Sequence, residues 1–210
     1  WQPRAAFEKF RSTISSNSEE AVSYLRLSAQ RHYPQAMEQL GCMLYAAAEP
    51  GSEAAEAGLK LLRQAAATGD HPHAAALVAL VYAYCVMGQG EQEVSVETDV
   101  TQRIASLFRF AHEQGDGLGT AGWGYCLVAG KGCERNVQEG LCLLESVTGS
   151  SACFADLALY HIYAEGIGVQ ADAAKAAACE ERFKQASHDL PGIWLFADRS
   201  VTAPFMPGLE

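Results

Sequence analysis

Residues 155–179 read ADLALYHIYAEGIGVQADAAKAAAC, and the pattern occurs a second time upstream. Shifted back by 36 residues, Gly166 and Gly168 land on Gly130 and Gly132, Asp172 on Asn136, Lys175 and Ala176 on Glu139 and Gly140, and Cys179 on Leu143. Each copy reads as a helix rich in Ala, Leu and Tyr, a glycine turn, and a second amphipathic helix. A fixed period of this size marks a helical solenoid, in which each helix pair buries its apolar face against its neighbours. Such a chain suits binding.

Working toward the N-terminus, Val137 to Val147 is the second helix of the upstream copy and Leu118 to Ala129 its first, with Trp123 in register with Leu159 and so expected in the core. Thr101 to Gln114 places Ile104, Leu107, Phe108 and Ala111 at helical spacing. Before it, EQEVSVETD from Glu91 is an acidic insertion, and insertions in solenoids map to loops on one face. Pro72 to Gly88 and Glu53 to Gly69 read as further helices, each ended by its glycine. Ala36, Leu40, Leu44 and Ala47 form one face of a helix that stops at Pro50 and Gly51, and so short a link packs it antiparallel to its neighbour. Gly41 inside that helix costs about 1 kcal/mol against Ala, so the spacing predicts a close helix contact there. Ala21, Val22, Leu25 and Ala29 line the helix before it, with Ser18 as the expected N-cap. Phe7, Phe10 and Ile14 define a first helix with Pro3 near its start. The expected layout is a capping helix at 1–17, a repeat array at 18–190, and an extended tail at 191–210 that carries Pro204 and Pro207.

Composition narrows the function. The 210 residues are 49% hydrophobic and 19% charged, with a net charge of −10. That is a globular chain. Phosphate contacts need clustered Lys and Arg, and no basic run occurs, so nucleic acid is disfavoured; an anionic membrane surface is disfavoured likewise. No apolar run is long enough to span a bilayer. A basic or neutral protein partner fits the charge best. The chain opens on Trp1 and not on Met, which favours an exported, periplasmic mature form, with the cytoplasm as the other compartment. Seven cysteines leave at least one unpaired within a single chain. Six sit among apolar neighbours, where a thiol behaves as a small hydrophobe; structural disulfides are the other possibility, with Cys126–Cys133 and Cys142–Cys153 the nearest candidates.

Gly166, Ile167, Gly168, Val169, Asp172, Lys175 and Ala176, with Tyr163 three residues before the first glycine, resemble the Sel1-like repeat, a relative of the tetratricopeptide repeat. Ala111 to Gly115 is similar to that family's end-of-repeat segment, and Leu40–Gly41 to its first-helix pair. The resemblance covers roughly residues 18 to 188 as about four repeats. Two turns depart from it: Gly88-Gln89-Gly90 is followed by the acidic insertion, and Glu49-Pro50-Gly51 stands in place of Gly-x-Gly. The resemblance implies an all-α, α/α superhelical solenoid whose members act as protein-interaction scaffolds in bacterial envelopes and signalling, or as immunity proteins that block secreted toxins.

The residues that could carry chemistry form no convergent constellation in the sequence. His71 and His73 flank Pro72, which holds the chain extended, and no acidic ligand pair follows at metal-site spacing. His161 and Glu165 are an i, i+4 pair of the solvated kind. Cysteines and histidines occur without a strained nucleophile turn. The glycine pairs match neither a dinucleotide nor a Walker pattern. No cofactor, metal or catalytic residue is expected. In the binding reading, first helices of such repeats line the concave side, and their positions off the apolar stripe hold Glu38, Tyr45, Tyr84, Tyr125 and His161. Each Tyr can instead pack between helices with its hydroxyl wet. The leading expectation is an exported immunity-type inhibitor that occludes a secreted toxin or effector enzyme. An envelope or signalling adaptor bridging two proteins, and a small thiol-dependent enzyme, are the alternatives.

Overall fold

Asn136 sits outside helical backbone, at φ −139° and ψ 86°, with its side chain accepting from the Glu139 N–H at 3.2 Å, and Asp172 accepts from the Lys175 N–H at 3.0 Å. Both start a helix by satisfying a donor that has no partner within it. The turns before them are copies as well. Gly130 and Gly166 end their helices at φ 68° and 71°, and Gly132 and Gly168 follow at 72° and 67°. The Lys131 N–H donates to Cys126 O and the Asn136 N–H to Leu127 O; 36 residues on, Ile167 donates to Ile162 O and Asp172 to Tyr163 O. The repeat read from the sequence is thus a repeat of backbone hydrogen bonds.

The computed structural model describes residues 2–49, 51–88 and 97–187. Among them are ten α-helices and no strand: α1 (Pro3–Thr13), α2 (Ser18–Gln30), α3 (Pro34–Ala47), α4 (Glu53–Ala66), α5 (Pro72–Gly88), α6 (Glu97–Glu113), α7 (Gly117–Ala129), α8 (Val137–Ser146), α9 (Ala152–Glu165) and α10 (Ala173–Ser187). The expected acidic loop after Gly90 and the tail at 191–210 lie outside the described residues, apart from α6 beginning at Glu97, earlier than the apolar pattern suggested. The α2 N-cap is Asn17, not Ser18: its side chain accepts from the Glu20 N–H at 3.1 Å while donating to the Glu20 carboxylate at 3.3 Å. That reciprocal pair outbids a serine one residue later.

The chain divides into two compact units, Trp1–Val78 and Ala79–Glu210, with the boundary inside α5. In the first, Phe10 of α1 packs with Ala21 and Leu25 of α2, Met37 and Leu40 of α3, and Ala65 and Ala74. Phe7 stacks 5.4 Å from Tyr33 and 5.7 Å from Phe10. The buried Ser28 hydroxyl donates to Pro3 O at 2.7 Å, tying α2 to the start of α1. Helices α3 and α4 run antiparallel at close range. A Cβ on Gly41 would lie 2.9 Å from Gly58 O, and one on Gly58 would lie 2.7 Å from Gly41 O. The mid-helix glycine foreseen from the sequence is there to let two backbones touch.

The second unit repeats the device. A Cβ on Gly124 would lie 2.9 Å from Gly140 O, and one on Gly140 2.6 Å from Gly124 O, so α7 and α8 pack as α3 and α4 do. Gly119 and Gly122, on another side of α7, leave no room for a side chain against Ala111 and Phe108 of α6. The core between α7, α8, α9 and α10 is built from Ala121, Val128, Leu144, Ala155, Leu159, Ile162 and Cys179. Leu25 and Leu62 in the first unit and Leu144 and Ile162 here are sealed from solvent, each side chain contributing about 1.5–3 kcal/mol of transfer free energy.

Candidate interaction surface

Tyr125 and His161 occupy one register in successive repeats, because Gly130 and Gly166 fix the same turn five residues after each. They project from α7 and α9, which pack side by side. Neither is sealed in the core: both are half-buried, Tyr125 resting against the apolar cluster with its remaining surface open. The His161 Nδ1 stands 3.1 Å from Glu165 Oε1, one turn on, the pair foreseen from i, i+4 spacing. Its ring meets that of Tyr160 edge-on at 5.1 Å. Burial raises the Tyr125 phenol above its ordinary 10.0, and the Glu165 charge raises it further, which puts that carboxylate within electrostatic reach of α7. His161 and Glu165 thus pair on α9, beside the helix that carries Tyr125.

The other expected positions belong to the first unit or lie outside what is described. Glu38 is half-buried on α3, its carboxylate 3.4 Å from His71 Nδ1 in the link before α5. This pairing gives His71 a structural role, and it joins positions 33 residues apart, beyond the reach of any local pattern. Tyr45 is half-buried at the end of α3 where Gly58 approaches its backbone. The Tyr84 side chain on α5 lies outside the described residues.

Trp123 is half-buried, and the Arg109 guanidinium lies over its ring at 5.9 Å while bonding Glu113 at 2.8 Å. Arg182 of α10 reaches Asp156 of α9 at 2.6 Å and the Cys179 sulfur at 3.2 Å, and Lys175 lies over the Tyr163 ring at 5.0 Å. The Arg109–Trp123, Arg182–Asp156 and Lys175–Tyr163 contacts each join two helices.

Six cysteines are described, all as free thiols, including both members of the Cys126–Cys133 and Cys142–Cys153 candidates. Burial pushes Cys42 and Cys126 up to about 12 and Cys153 up to about 11; the Glu38 charge adds to the shift at Cys42. Burial also raises Cys133. A nucleophilic cysteine needs the opposite shift. Among the described residues no group of three His, Cys, Asp or Glu side chains could hold a metal, and no helix is long and apolar enough to cross a membrane.

Tandem antiparallel helix pairs, closed by copied glycine turns, define a helical-repeat solenoid. More narrowly, the fold is the Sel1-like repeat fold. The chain is similar to the crystal structure of a Sel1 repeat protein from Oxalobacter formigenes at 21% identity and a TM-score of 0.59, over 87% of this chain and 71% of that one. It is also similar to a protective antigen of uropathogenic Escherichia coli that displays the same fold, at 21% identity and a TM-score of 0.58. The match covers 98% of this chain and 42% of the antigen, so the chain spans less than half of that protein's length. No protein-family model matches the chain, and no curated protein matches it.

Proposed function

We propose that the chain is a protein-interaction scaffold that holds a partner against the first helices of its repeats. The observation that carries this reading is the shared register of Tyr125 and His161, which sets two half-exposed aromatic side chains side by side on α7 and α9, outside the sealed core. Aromatic groups so placed are the kind that anchor interfaces. Within the scaffold reading we favour an inhibitor that covers the active site of a secreted toxin or effector enzyme. The net charge of −10 supports it, since an acidic binder reaches a basic enzyme quickly and repels acidic bystanders. The raised thiols of Cys42, Cys126 and Cys153 speak against the thiol-dependent enzyme.

The test is affinity capture from the producing organism with two baits, the chain itself and a Tyr125→Ala/His161→Ala variant, followed by mass spectrometry. One protein held by the first bait and lost from the second supports the scaffold, and a hydrolase among such proteins whose activity falls on adding the chain supports the inhibitor. Two proteins held at once by separate parts of the chain would favour the adaptor. Equal recovery on both baits would remove α7 and α9 from the binding surface.

A further inference from the structure

Among the described residues of the second unit, most carboxylates that face another element or their own helix are already engaged. Asp156 pairs with Arg182, Glu113 with Arg109 and Glu180 with Lys184, while Asp116 and Asp172 cap α7 and α10. Glu165 differs in having no permanent cation as its partner: among the described residues it is paired only with the imidazole of His161, and its side chain is 61% exposed. Among the same residues the Tyr125 hydroxyl, His161 Nε2 and the second Glu165 oxygen make no hydrogen bond. Three polar atoms with open valences thus stand on two adjacent first helices, α7 and α9.

From this geometry we infer that Tyr125, His161 and Glu165 form a receiving site for one arginine side chain of the bound protein. A guanidinium is planar and always charged, and it offers a fork of donors that a carboxylate accepts in pairs. The Tyr125 ring supplies a face for it to stack on and the phenol oxygen a further acceptor. His161 holds Glu165 in place through Nδ1 while its own second nitrogen stays available. A lysine ammonium could meet the carboxylate but would use neither the fork nor the stacking. The overall negative charge adds long-range attraction for the basic segment that would carry such an arginine. The inference deepens the scaffold reading and rests on it for its biological meaning, yet the site can be probed alone.

The experiment is an amide-correlation NMR titration of the full chain at low ionic strength with the blocked peptides acetyl-Gly-Arg-Gly-amide and acetyl-Gly-Lys-Gly-amide. Saturable shifts confined to residues 121–129 and 158–168 are expected with the arginine peptide, and weaker ones with lysine. Glu165→Gln should weaken arginine binding about tenfold, the size of one charge-assisted hydrogen bond. Glu145→Gln, which removes an exposed carboxylate on α8, should leave it unchanged. Shifts scattered over the surface, equal losses in both variants, or equal binding of the two peptides would overturn the assignment. Used as a capture bait, Glu165→Gln separates the two readings. Undiminished capture sinks the arginine site and leaves the scaffold standing, whereas a normal peptide titration with nothing captured leaves the site and sinks the scaffold.

Discussion

Gly140 shows how a single missing methyl group fixes the distance between two helices. A Cβ there would lie 2.7 Å from the Val128 side chain as well as 2.6 Å from Gly124 O, and neither a packed backbone nor a β-branched neighbour can yield cheaply. Gly140→Ala is expected to lower stability by about 3 kcal/mol, the upper end for overpacking because backbone stands in the way, read as a reduced urea midpoint. Gly69 sits at φ +76° with nothing within 4 Å of a Cβ, so Gly69→Ala meets backbone strain alone, about 1 kcal/mol. Equal costs for the two variants would contradict the close-packing account. Buried thiols give a second prediction at this scale. Cys126 and Cys153 are raised from 9.0 to about 12 and about 11, so above pH 9 the unfolded chain loses protons that the folded chain keeps. Stability is therefore intact below pH 9 and falls as pH rises toward 11–12, by about 1.4 kcal/mol per pH unit for each such thiol. Urea midpoints measured across that range should show the fall, and Cys126→Ala should flatten it; a pH-independent midpoint would contradict it.

At the scale of the element, the two caps test whether the copies are energetically alike. Asn136 and Asp172 each satisfy one N-terminal donor at matching positions. Asn136→Ala and Asp172→Ala should each cost about 1 kcal/mol, the loss with Asp172 being larger at low salt because its charge also meets the helix dipole. Thermal unfolding of both variants checks this. Local signals such as these were legible in the sequence: the glycine turns, the Gly41 contact and the helix spans other than the start of α6 follow from spacing within one helix pair. The Asn17 cap was missed because four polar residues in a row offered several candidates, and only backbone geometry chooses among them. Asp156–Arg182 and Glu38–His71 were missed for another reason: their partners meet only after helices have packed.

For the whole molecule, the fold was legible because a solenoid writes its period into the chain, while the interaction surface was legible only in part. Off-stripe positions pointed to Tyr125 and His161, and i, i+4 spacing to Glu165, but that these helices lie side by side follows only from how α9 packs on α7. Glu38 is more entangled than its position suggested. With its side chain 21% exposed and paired to His71, Glu38→Lys should lower the melting temperature as well as slow partner association in a salt-dependent way. A slower association with unchanged melting would show that the pair contributes little to the fold. The central claim, that first helices hold another protein, is tested most directly by hydrogen exchange on the chain alone and with its captured partner. Protection is predicted in peptides from α7 and α9, covering 117–129 and 152–165, with α8 and α10 unchanged; protection confined to α8 and α10 would contradict it.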